Sequence, residues 1–135
     1  MFDTLDEIYS INDDLAVQGV RKEVGYNKKG DKVVMIIAAT GTPKHNAAQR
    51  KRSDLLEQTR FNEAQHEKVI AEIIAESILL DWSGVIDEKG KPIPATFENK
   101  LEAILKYKRL MGMIMTTATD MSQFRSNVQD ASEKN

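Results

Sequence analysis

Apolar residues recur at helical spacing along most of this chain and switch once, early on, to strand-like runs. Phe2, Leu5, Ile8, Tyr9 and Ile11 share one helical face, so residues 1–14 read as an N-terminal arm or short amphipathic helix. Between residues 15 and 40 the period changes. Val20, Val24 and Tyr26 lead into the polar Asn27-Lys28-Lys29-Gly30-Asp31, and Lys32-Val33-Val34-Met35-Ile36-Ile37-Ala38-Ala39 follows. Two β-rich runs around a turn with glycine predict a β-hairpin over 15–40. The second run is almost continuously apolar, so both its faces should be covered. A lone hairpin is marginal in water, so this one should pack on helices or pair with another subunit.

Residues 43–128 return to helical spacing. Thr42 is placed to cap a helix with Pro43 in its first position, and a polar helix from Lys44 to about Arg60 follows. Val69, Ile70, Ile73, Ile74, Ile78 and Leu79 then mark a central core helix over Glu63 to Leu80, with Glu67, Lys68, Glu72 and Glu76 facing away. Thr96 caps the next helix, striped by Phe97, Leu101, Ile104 and Leu105. Leu110, Met111, Met113, Ile114 and Met115 follow, and Gly112 reads as a point of close packing or a kink. Asp120, with Gln123 three residues on, begins a last helix carrying Met121, Phe124 and Val128. Residues 129–135 form a polar C-terminal tail. The expected fold class is mainly α (α+β): one domain over 1–128, a helical domain of about four to five helices with one N-terminal β-hairpin.

The segment between the central helix and the C-terminal helices holds the only Trp and two of the three Pro. Trp82, Gly84, Gly90, Pro92 and Pro94 read as a structural connector that fixes the angle between them. Its Asp87-Glu88-Lys89-Gly90 is a polar turn; the ligand order of a calcium loop is interrupted by Val85 and Ile86.

Composition narrows the class. Hydrophobic residues are 41% and charged residues 30% of the 135, which suits a folded domain. The net charge of −2 gives no general attraction to nucleic acid or anionic membrane. With no Cys, disulfides, thiolate zinc sites and Cys nucleophiles are excluded. No apolar run is long enough for a transmembrane helix, and the acidic Met1-Phe2-Asp3-Thr4-Leu5-Asp6-Glu7 is unlike a signal peptide. A soluble intracellular protein is expected.

No catalytic constellation emerges. His45 and His66 lie on different predicted helices without ligand partners at i+3 or i+4, so no metal is expected. Glu72 and Glu76 sit on an ordinary charged face. No nucleophile elbow, phosphate-binding loop or dinucleotide fingerprint occurs, and no cofactor is implied. Lys44, Arg50, Lys51 and Arg52 form a basic cluster, the basis of an alternative reading: a small phage or bacterial nucleic-acid-binding regulatory protein using the basic 44–52 helix. Met111, Met113, Met115 and Met121 fill a core or offer an adaptable binding surface.

The ordered parts Trp82-Ser83-Gly84-Val85, Asp87-Glu88-Lys89-Gly90-Lys91-Pro92-Ile93-Pro94, Thr96-Phe97-Glu98-Asn99 and Ala118-Thr119-Asp120-Met121-Ser122-Gln123-Phe124-Arg125 span about Ile74 to Arg125. Together they resemble the tail assembly chaperones of long-tailed (siphovirus-type) bacteriophages, in the shorter, non-frameshifted form. The resemblance implies a non-enzymatic chaperone that binds and solubilises the tape-measure protein and helps recruit tail-tube subunits. It implies homo-oligomers, residence in the host bacterial cytoplasm, and absence from the mature virion. Met111, Ile114, Met115, Met121 and Phe124 are the candidate client-binding residues, with no membrane partner expected.

Overall fold

The computed structural model describes residues 1–125. The expected polar tail over 129–135, and Val128 of the last predicted helix, lie outside the described residues. In chain order the elements are α1 (Asp3–Tyr9), α2 (Asp13–Gln18), β1 (Val20–Tyr26), β2 (Lys32–Ile37), α3 (Pro43–Lys51), α4 (Ser53–Thr59), α5 (Glu63–Ser77), β3 (Leu79–Ser83), α6 (Phe97–Lys106) and α7 (Lys108–Thr119). A 3-10 turn, Met121–Phe124, follows.

This arrangement overturns the expected helical domain with a single hairpin. The fold is mixed α+β, with a three-stranded antiparallel sheet in the order β1-β2-β3. Residues 13–18, partly assigned to the hairpin, are helical, and Leu79 and Leu80, assigned to the core helix, open a strand. The cause is local. Ile78, Leu79 and Leu80 continue the helical spacing of α5, so the apolar pattern alone cannot show where the helix stops. The backbone leaves the helix after Ser77, and the Ile78 carbonyl accepts the Ala38 N–H at 2.9 Å. Leu79 then lies opposite Ile37, and Trp82 opposite Met35.

β2 is therefore the middle strand, bonded along both edges within one chain, and no second subunit is needed to pair it. Met35, Ile37, Leu79 and Trp82 face the helices and pack with Ala71, Ile74, Ala75 and Ile78 of the α5 segment, Ile104 of α6, and Ile114 and Ala118 of α7. On the other face, Val34 and Ile36 are flanked in register by Glu23 and Arg21 of β1 and by Ser83 and Asp81 of β3. Val34 is nonetheless buried and Ile36 half-buried, so this face is covered at its centre and polar only at its margins. The free edge of β1 carries charged side chains and a register shift between Glu23 and Gly25, features that discourage further strand addition.

Two smaller clusters complete the interior. Ala48, Val69 and Ile73 join α3 to α5. Ala16, Ala39 and Phe124 join α2 and the end of β2 to the 3-10 turn, where the Phe124 carbonyl accepts the Asn12 N–H at 2.7 Å.

The connector is held by specific bonds. Trp82 is 8% exposed, and its indole N–H donates to the Ile93 carbonyl at 2.7 Å. Ile86 and Pro92 form a single antiparallel bridge. Asp87 accepts from the Lys89 and Lys91 amides at 2.8 and 2.9 Å, closing the polar turn with Gly90 at φ +83°. The Pro94 carbonyl accepts from the Asn99 amide side chain at 3.0 Å. The β1–β2 turn packs on this loop: Asn27 donates to the Gly84 carbonyl at 2.9 Å and Lys29 to that of Gly90 at 2.7 Å. Gly84, at φ +80°, could not carry a Cβ without striking the Lys32 carbonyl.

Candidate protein-docking surface

Between α4 and α5 the chain turns sharply through Arg60 and Phe61. The Thr59 hydroxyl donates to the Leu55 carbonyl at 2.6 Å, ending α4, and the Asn62 side chain accepts the Gln65 N–H at 3.1 Å, starting α5. Phe61 thus precedes an N-cap, a position from which an apolar residue packs onto the fourth helical residue when that residue is apolar. Here that residue is His66, and Phe61 remains 88% exposed with the Arg60 guanidinium 4.6 Å above its ring.

Phe61 forms one wall of a cleft of about 390 Å³, with Ile70 of α5 and Met111 of α7 as its other apolar lining. Its charges come with partners of both signs. Lys108 approaches Glu67 at 4.0 Å, and Arg60 pairs with Glu57 at 3.2 Å. His66 meets the Thr59 hydroxyl at 3.3 Å. An apolar floor with a rim of mixed charge suits one face of an amphipathic helix.

The five candidate client-binding residues do not form one surface. Met111 lines this cleft. Ile114 is fully buried in the main core and Phe124 is 1% exposed in the cluster with Ala16 and Ala39. Both hold the interior together and offer nothing to a client. Met115 is half-buried against the main core, and Met121 is exposed beyond the other end of α7. Gly112 is exposed with open space around its Cα, so it marks no close packing. Phe61 and Tyr107, both more exposed than any of the five, went unmarked in the sequence pattern because neither belongs to an apolar stripe.

The basic cluster is largely committed elsewhere. Arg52 is 7% exposed; its guanidinium donates to both Glu76 carboxylate oxygens at 3.1 and 3.3 Å and lies 4.0 Å from Glu72. Lys51 reaches the same Glu76 at 3.2 Å. The Arg52 hydrogen bond, followed by Lys51, holds the Glu76 carboxyl below its ordinary pKa against the opposing effect of burial. That leaves Lys44 and Arg50 of the cluster without an ion pair among the described residues.

Two further buried polar groups are structural. The His45 ring nitrogen Nδ1 accepts the Gly41 N–H at 2.9 Å, which requires the neutral form, and burial lowers its pKa in the same sense. Lys100 donates to the Leu79 carbonyl at 2.8 Å; burial, then the nearby Lys44, lowers its pKa, while Asp81 opposes them. Among the described residues no three His, Asp or Glu side chains gather as a metal site, and no helix is long and apolar enough to cross a membrane.

No curated protein and no solved structure matches the chain. The family model of the YdaY prophage protein matches residues 38–135. That span begins just after β2 and takes in the Phe61 cleft, β3, the connector and the C-terminal helices. It covers 98 of the 135 residues, and the chain belongs to the YdaY prophage protein family, a protein of phage origin.

Proposed function

We propose that this prophage protein is a non-enzymatic tail assembly chaperone, which holds the long helical tape-measure protein in solution and helps bring tail-tube subunits to it. The observation that carries this reading is the cleft at Phe61, an apolar trough with Ile70 and Met111 and a rim of both charge signs. Phage origin and the motif order from Trp82 to Phe124 support it. The client surface on this reading comprises Phe61, Ile70 and Met111; Met115 packs on the core, Met121 lies beyond the far end of α7, and Ile114 and Phe124 are buried. Methionine adapts to varied side chains, so one cleft can accept successive turns of a client helix. Several chaperone copies on one client then add their weak contacts through multivalency.

The site of action on this reading is the host cytoplasm, before the virion is complete. The nucleic-acid reading has less support, because Arg52 and Lys51 spend their charge on Glu76. Co-expression with a phage tape-measure protein tests the proposal. The client should move from the insoluble to the soluble fraction and co-purify with the chain; a client that stays insoluble overturns it.

A further inference from the structure

The connector is a hairpin in its own right. The Ile93 N–H donates to the Val85 carbonyl at 2.8 Å, the Asp87 N–H to the Lys91 carbonyl at 2.8 Å, and the Gly90 N–H to the Asp87 carbonyl at 3.0 Å. With the Ile86–Pro92 bridge and the Asp87 carboxylate, these bonds fix the shape of residues 85–93 from within. Both ends are pinned to the body. Gly84 lies against the Lys32 carbonyl and gives its own carbonyl to Asn27, while Asn99 of α6 holds the carbonyl of Pro94. Between those ends the hold is slight. Val85 and Ile93 rest on the main core, yet Val85, Ile86 and Ile93 are all only half-buried. Val85 and Ile86 border open space on two sides: a cleft of about 410 Å³ toward the β1–β2 turn and one of about 290 Å³ toward α6. The remaining fasteners are polar. Lys28 donates to the Glu88 carbonyl, Lys29 to that of Gly90 at 2.7 Å, and the Trp82 indole to that of Ile93 at 2.7 Å.

We propose that residues 85–93 act as a flap. The hairpin swings as one piece about Gly84 and Pro94 when Lys28 and Lys29 let go, and it uncovers Trp82 and the strip of α6 that leads to Tyr107. Few buried apolar contacts and exposed polar bonds give a segment a low cost of local opening. The clasp suits such a movement. A lysine ammonium is a strongly hydrated point charge on a flexible stem, so at the surface it trades a carbonyl for water readily. Neither Lys28 nor Lys29 makes an ion pair among the described residues, and each ends on a main-chain oxygen of the tip. The movement leaves the rest of the fold in place. Trp82 still packs in the main core, and the two pinned ends keep the angle between the sheet and α6. The flap shares no lining residue with the Phe61 cleft, so this device stands whether or not the client reading does.

Hydrogen exchange followed by NMR on the full chain reads the opening, because the chain has one Trp and its indole N–H is bonded to the flap. Two amides serve as references: Ile93, bonded within the flap, and Ala38, bonded to the Ile78 carbonyl beside the sheet. Corrected for intrinsic rates, the wild-type indole should be at least about tenfold less protected than the Ala38 amide. The Ile93 amide should stay better protected than the indole, since its bond travels with the flap. Lys28→Ala with Lys29→Ala, both at exposed positions, should speed indole exchange at least about fivefold and leave the Ala38 amide unchanged. Acrylamide should quench Trp82 fluorescence more strongly in the same variant. Three results overturn the proposal. In one, the wild-type indole is as protected as Ala38, which makes the connector part of the global fold. In another, the indole and Ile93 lose protection together, so the connector unravels instead of swinging. In the third, the double variant leaves the indole unchanged, lowers Ala38 equally or fails to fold, so the two lysines are no clasp.

Discussion

A side chain at position 84 would run into the Lys32 carbonyl, and the φ of +80° there disfavours any L-residue. Gly84→Ala should therefore cost about 3 kcal/mol or more, strain and steric conflict together, read as a lowered urea midpoint. His45 makes a different prediction. Its neutral ring accepts from Gly41, and its folded pKa lies below the ordinary 6.5. The unfolded chain takes up a proton as pH falls through 6.5, while the folded chain resists until the lower folded pKa. This stabilisation is complete above 6.5 and is lost on acidification through that window. His45→Asn keeps an acceptor for Gly41 without titrating near neutrality. Its thermal midpoint should thus fall less than the wild type's between neutral and mildly acidic pH; equal slopes would remove His45 as the cause. Arg52 shows why residue chemistry was only partly legible. Beside Lys44, Arg50 and Lys51 it reads as part of a basic patch, but its partner Glu76 lies 24 positions away and becomes a neighbour only when α3 packs on α5.

At the scale of elements, starts were easier to read than stops. Thr42 and Thr96 accept the amides of His45 and Asn99 at 3.2 and 3.1 Å, as short-range capping predicts. β3 was invisible because its apolar residues continue the spacing of α5, and what makes them a strand is β2, more than 40 residues earlier. α7 posed a similar problem. Its Met and Ile residues form one apolar run, yet Ile114 points into the core and Met111 toward the cleft. Ile114→Ala should cost about 3 kcal/mol of stability. Met111→Ser should cost about 1 kcal/mol, as a partly exposed site does, and should impair client binding instead. Urea titration of both variants separates these roles, and equal costs would place Met111 in the core.

For the whole molecule, the sheet satisfies its central strand internally, so the pairing argument for self-association from an isolated hairpin no longer applies. What remains open on the surface is an acidic apolar arm and a cleft built around Phe61. Fold class was misread because one nonlocal strand changed it. The candidate site was half legible, since Met111 could be read from the sequence and Phe61 could not. The most direct test of the central claim is the soluble yield of the tape-measure protein co-expressed with wild type or with the Phe61→Ser, Met111→Ser double variant. The account predicts soluble client with wild type and insoluble client with a variant that is itself folded and soluble. Client that is insoluble with wild type, or equally soluble with both, would contradict it.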